Sequence, residues 1–302
     1  MNTKVKKQQT WALASTYLLD AYTDYILSRQ AMMCTPRTIG FYKFTLGKIL
    51  EWFEKNDVHQ PQDITNRHIR ALLSEMVAKG YSDSYIHIYA RVLRTFTNFL
   101  YKEKYTVQSL DFVMPKIGKK RLLVFNKDEV QQIINSCETR RDKAFILLMI
   151  DSGLRQAEVI SLDWGDVDIS SGIIRLEKGK GRKARSVVIG AHTRRALLRY
   201  KSEVDASEKQ PLFQTQNGYR FTTSGLRSWL LRISKRANIH ISAHALRRTF
   251  ATLSLKAGMN VLELQRLMGH SSLDMTRHYI ELLDEDLLLA HKEHGPVDSL
   301  YK

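Results

Sequence analysis

Four short segments hold basic and polar groups that a plain helical domain would not need. In 151–158, Arg155 follows the Gly153 turn and opens a helix, with Glu158 on the same face at i+3. A guanidinium held by a carboxylate is stiff and can clamp a phosphate through two oxygens. Alone, the pair reads equally as a surface ion pair. Segment 177–185 spaces Lys178, Lys180, Arg182 and Lys183 around Gly179 and Gly181. Glycines let a hairpin tip come close to another backbone. A lysine there can enter a groove or protonate a leaving oxygen, and a solvated turn has the same composition. The order G-x-x-x-x-G-K-[ST] of a nucleotide phosphate loop is missing. In 242–249, Ser242 is placed to cap a helix on which His244 and Arg247 share a face, with Arg248 beside them. Imidazole and guanidinium at a helix N-terminus make an anion site. The fourth segment joins His270 to Tyr279, nine residues on. One straight helix would part them by about 13.5 Å and half a turn, so Gly269 and the Ser271-Ser272 pair predict a break between them.

Two arginines, two histidines, a lysine and a tyrosine suit one reaction, attack of a phenol oxygen on a phosphodiester. Arginines stabilise charge gained on the non-bridging oxygens. The departing alkoxide needs a general acid, and the tyrosine yields a covalent phosphoryl-enzyme. No carboxylate cluster of the kind that holds Mg²⁺ accompanies these groups, so neither a metal nor another cofactor is implied.

The elements that must position these groups read as mainly α, in two domains. Residues 15–29 form one amphipathic helix. A second opens at Thr35-Pro36 and runs through Phe41, Phe44, Ile49, Trp52 and Phe53. A third is capped by Thr65 and ended by Gly80, and a fourth spans 82–102. The aromatics of this part read as core rather than base-stacking groups. Residues 108–121, with Pro115, Gly118 and the run Lys119-Lys120-Arg121, lack a period and read as a basic linker. Beyond it, helices are expected over 126–137, 140–152, 192–203, 223–237, 244–257, 261–267 and 282–292, with a small antiparallel sheet from 173–176 and 186–189. The net charge is +16, and the chain carries +8 on either side of residue 120, as expected of a protein that grips a polyanion with both halves. Cys34 and Cys137 are too few for a disulfide framework, which fits a reducing cytoplasm. The N-terminus does not read as a signal peptide, and no apolar run is long enough to span a membrane.

Taken in order and spacing, the four segments resemble the tyrosine recombinase (phage integrase, Xer-like) family. The likeness implies an N-terminal helical core-binding, SAM-like domain over 1–107, the linker at 108–121 and a catalytic domain over 122–302. It places the family's catalytic set on Arg155, Lys180, His244, Arg247, His270 and the nucleophile Tyr279, with Glu158 in support. Lys178 and Lys183 stand close enough to compete for the lysine role. Lys119, Lys120, Arg121, Lys178, Arg182, Lys183 and Arg248 are candidates for DNA contact. Ser152 and Arg248 stand where many members have Thr and a second His. The resemblance implies cleavage and rejoining of duplex DNA through a 3′-phosphotyrosine, in integration, excision, transposition or dimer resolution. A type IB topoisomerase-like activity and a non-catalytic DNA-binding regulator are the alternatives. After Tyr279, Leu282, Leu283, Leu287 and Ala290 form an apolar stripe. It could fold back on its own domain or, as the resemblance implies, dock on a neighbouring protomer within a tetramer on DNA. Accessory partners are not legible.

Overall fold

The computed structural model describes residues 16–118, 123–176 and 184–269. The chain divides into two compact units, residues 1–120 and 121–302. In the first, α1 (Thr16–Ala31), α2 (Pro36–Lys55), α3 (Asn66–Ala78) and α4 (Asp83–Lys102) follow the expected order, with one 3-10 turn at Pro61–Asp63. The starts are set locally. Thr35 Oγ1 accepts the Thr38 amide at 3.2 Å, with Pro36 at the first helical position. Thr65 caps α3 in the same way. Tyr25 lies fully buried at the centre, edge-on to Tyr42, Phe96 and Phe99.

The expectation that the aromatics are core fails at Phe41 and Phe44, which are 40% and 62% exposed. The buried face of α2 is Leu46, Ile49, Leu50 and Phe53. At about 100° per residue, Phe44 stands roughly half a turn from Leu46. Part of the segment read as linker is tied to this unit: Phe112 is buried, and the carbonyls of Asp111, Phe112 and Pro115 meet Asn66, Arg94 and His87.

The second unit contains α5 (Lys127–Asn135), α6 (Arg140–Ser152), α7 (Gln156–Ser161), β1 (Val167–Asp168), β2 (Ile173–Leu176), β3 (Arg185–Val188), α8 (Ala191–Lys201), α9 (Thr223–Ala237), α10 (Ala243–Lys256) and α11 (Val261–Met268). The sheet is antiparallel in the order β1-β2-β3, with Ile174 paired to both Val167 and Val187. The two-residue strand β1 was not expected, since it is too short to show alternation. Helix α6 forms the axis of this unit: Ala144, Phe145, Ile146, Leu148 and Met149 are all fully buried. Trp229 of α9 packs edge-on against Phe145 and donates its indole N–H to Asp142 at 2.8 Å. Arg141 lies over the rings of Trp229 and Phe221. A separate small cluster of Phe250, Ala251, Leu264 and Met268 joins α10 to α11. Among the described residues, no helix is long and apolar enough to cross a membrane.

Candidate active site

Helix α6 ends at Gly153, whose φ of +60° is the left-handed conformation that turns the chain sharply. No larger residue fits there, because a Cβ would lie 2.1 Å from the Phe250 ring. The turn delivers Arg155 to the start of α7. The Arg155 amide donates to Glu158 Oε2 at 2.8 Å, and its Nη1 donates to Glu158 Oε1 at 3.0 Å. The i+3 pairing expected from sequence is therefore present, but it is not a surface ion pair, since Glu158 is only 6% exposed. The carboxylate takes a second guanidinium: Arg185 donates from Nη1 at 3.0 Å and from Nη2 at 2.9 Å. Burial alone would raise the Glu158 pKa. The hydrogen bonds from Arg185 and from the Arg155 amide, with the Arg185 charge and the Arg155 side-chain hydrogen bond, hold it down to about 2.

Ser242 caps α10 by accepting the Ala245 amide at 3.1 Å. One turn in, Arg247 is buried and donates to the Gly153 carbonyl and, from Nη2, to the Met268 carbonyl at 2.8 Å. His244 lies on the exposed side of the same turn. Its pKa is lowered by partial desolvation and then by the charges of Arg248, Arg247 and Arg155, which favour the neutral ring.

The three guanidiniums converge on one backbone turn. The last carbonyls of a helix lack intrahelical partners. At the end of α11, Leu267 O accepts from Arg185 Nε at 3.1 Å, Met268 O from Arg247 and Gly269 O from Arg155 Nη2 at 2.8 Å. Gly269, at φ +61°, then leads into His270. Cationic donors at a helix C-terminus also complement its dipole. Arg155, Glu158, His244, Arg247 and Arg248 are thus gathered in one place. Lys119, Lys120, Arg121, Lys178, Lys180, Arg182, Lys183, His270 and Tyr279 lie outside the described residues, as does the apolar stripe from Leu282 to Ala290. Ser152 is buried and donates its hydroxyl to the Leu148 carbonyl at 2.6 Å, which absorbs that departure from the usual Thr within α6.

Arg185 is the site residue that sequence reasoning missed. The signal was alternation: Arg185 and Val187 occupy one face of β3, and Val187 is buried. An inward-facing arginine needs buried acceptors, here the Glu158 carboxylate and the Leu267 carbonyl.

Residues 19–104 match the N-terminal SAM-like domain of phage integrases, and residues 124–286 match the phage integrase family. Tyrosine recombinase XerA of Saccharolobus solfataricus is 30% identical over 276 residues, covering 89% of this chain and 90% of its own. The fold is similar to that of the Tn1549 transposon integrase in complex with circular intermediate DNA, with a TM-score of 0.74 and 19% identity over 88% of this chain and 95% of that one. A lambda integrase dimer bound to a COC′ core site has a TM-score of 0.72 and 17% identity, over 86% and 94% of the two chains.

Proposed function

The chain belongs to the phage integrase family and is a tyrosine-type recombinase, and from that premise we propose that Tyr279 attacks a scissile phosphate of duplex DNA and forms a 3′-phosphotyrosine. The bond from phosphorus to the 5′ oxygen breaks as the phenol oxygen bonds to phosphorus. The freed 5′ hydroxyl of a partner strand later reverses the step. Arg155 and Arg247 would hold the non-bridging oxygens and stabilise their developing charge. Lys180 would give the 5′ oxygen its proton. His244, whose neutral form is favoured by partial burial and the neighbouring arginines, can accept or relay a proton, and His270 would hydrogen-bond the phosphate. Glu158 supports Arg155. Arg248 and the basic residues Lys119, Lys120, Arg121, Lys178, Arg182 and Lys183 would meet the DNA backbone.

The observation that carries this reading is the convergence of Arg155 and Arg247 on the adjacent carbonyls of Gly269 and Met268. Two guanidiniums from elements far apart in sequence are thereby fixed side by side, next to the residue that opens the tyrosine segment. The names of the relatives favour recombination over strand relaxation or passive regulation. Pairing two DNA sites would call for self-association, and a tetramer with the 282–290 stripe docked between protomers fits that need. The cysteine usage fits the cytoplasm.

A nicked duplex whose cut strand loses the short fragment bearing the freed 5′ hydroxyl traps the covalent intermediate. Wild-type protein should accumulate an adduct that resists denaturant, while Tyr279→Phe should bind the duplex equally and form none. An adduct formed at full yield by the Phe variant would overturn the nucleophile.

A further inference from the structure

Arg185 belongs to none of the groups that the proposed chemistry requires, yet it touches two of the parts that hold them. Its side chain is 15% exposed and commits three donors to two elements: Nη1 and Nη2 to the Glu158 carboxylate of α7, and Nε to the Leu267 carbonyl of α11. Its guanidinium also lies against Gly269, where a Cβ would be 3.0 Å from Cζ and 3.1 Å from Nε and Nη1. An ion pair serving stability alone needs one carboxylate and one cation. Here one carboxylate joins two guanidiniums, and each guanidinium continues to the same helix end, Arg185 to Leu267 O and Arg155 to Gly269 O. The result is a closed ring: Arg155, Glu158, Arg185, the last turn of α11, and back to Arg155. A ring fixes orientation as well as distance, since a change at one member must be taken up by the others.

We propose that Arg185 is a positioning residue that holds the plane of the Arg155 guanidinium and the backbone turn before His270 in register, acting through Glu158 and Leu267 O. The inference rests on the assignment of Arg155 to the scissile phosphate. Lysine cannot replace Arg185, because an ammonium has no planar fork to span a carboxylate and a carbonyl at once. Loss of Arg185 leaves Arg155 in place but free to tilt, and a misplacement near 1 Å can cost about a hundredfold in rate.

The test is single-turnover cleavage of the nicked duplex, read beside DNA affinity by fluorescence anisotropy, for Arg185→Ala, Arg185→Lys, Arg155→Ala and the double Ala variant. Arg185→Ala and Arg185→Lys should both cleave roughly 10- to 100-fold more slowly with affinity unchanged. The Lys variant keeps a cation beside Glu158, so it reports on geometry even if the Ala variant folds poorly. The double Ala variant should be no slower than Arg155→Ala alone, the non-additivity expected of residues acting through one another. The deficit should persist on a duplex with a 5′-phosphorothiolate leaving group, which needs no proton. Rescue on that substrate would move Arg185 to the proton-donating hairpin and overturn the inference. Normal cleavage by Arg185→Lys, or additive losses in the double variant, would overturn it as well. Normal cleavage by Arg155→Ala would overturn the parent assignment, whereas a crippled Arg155→Ala beside a normal Arg185→Ala would sink this inference alone.

Discussion

Replacing Glu158 by Gln keeps the volume of the side chain and one acceptor oxygen but removes the buried charge that two half-buried guanidiniums share. The carboxyl is held from its ordinary value of 4.5 down to about 2. At about 1.36 kcal/mol per pKa unit, that shift corresponds to roughly 3 kcal/mol of native-state stability at neutral pH. Breaking a buried pair by removing one partner costs about 3–5 kcal/mol, which agrees. The folded pKa is depressed. The contribution is therefore complete above the unfolded value and is lost as the pH falls toward the folded one, with about half left near pH 3. Urea unfolding of the second unit can be followed by Trp164 and Trp229 fluorescence in a background carrying Trp11→Phe and Trp52→Phe. Glu158→Gln should unfold about 3 kcal/mol more easily at pH 7, and the gap should narrow by roughly half at pH 3. A gap below about 1 kcal/mol at neutral pH, or one that does not change with pH, would refute the argument that Glu158 is ionised and shared.

Gly153→Ala forces a side chain into the left-handed region at about 1–2 kcal/mol and drives a methyl into Phe250, which lies 2.1 Å from where it must go. It should lower thermal stability and also slow cleavage, because the Gly153 carbonyl is a partner of Arg247; a melting temperature equal to wild type would contradict the geometry. DNA affinity should fall steeply with salt, by about 10³–10⁵ between roughly 50 and 200 mM if some 6–10 phosphates are neutralised, as titration by anisotropy would show. Removing residues 281–302 should leave single-site binding and abolish the two-site complex, measured by size-exclusion chromatography with light scattering on DNA-bound protein.

Local chemistry was readable from the sequence wherever a residue acts on its near neighbours. The caps at Thr35, Thr65 and Ser242 and the pairing of Arg155 with Glu158 are decided within three or four residues. The burial of Phe41 and Phe44 was misread because aromatic character was weighed before helical phase. The closing of the site was beyond reach of spacing alone. The Met268 and Gly269 carbonyls that bind Arg247 and Arg155 lie 21 and 114 residues away in the chain. No side-chain pattern announces a backbone acceptor. Arg185 was passed over for a related reason: it ends a run of basic residues, and composition hid the one of them that faces inward.

A free arginine side chain carries about 2 kcal/mol of rotamer entropy. Arg155 and Arg247 surrender it when the domain folds, since each is already bonded to the last carbonyls of α11. A phosphate that reaches them has little conformational freedom left to quench. Its attraction to the two cations can then go into holding the pentavalent geometry at phosphorus, rather than into ordering the groups that hold it.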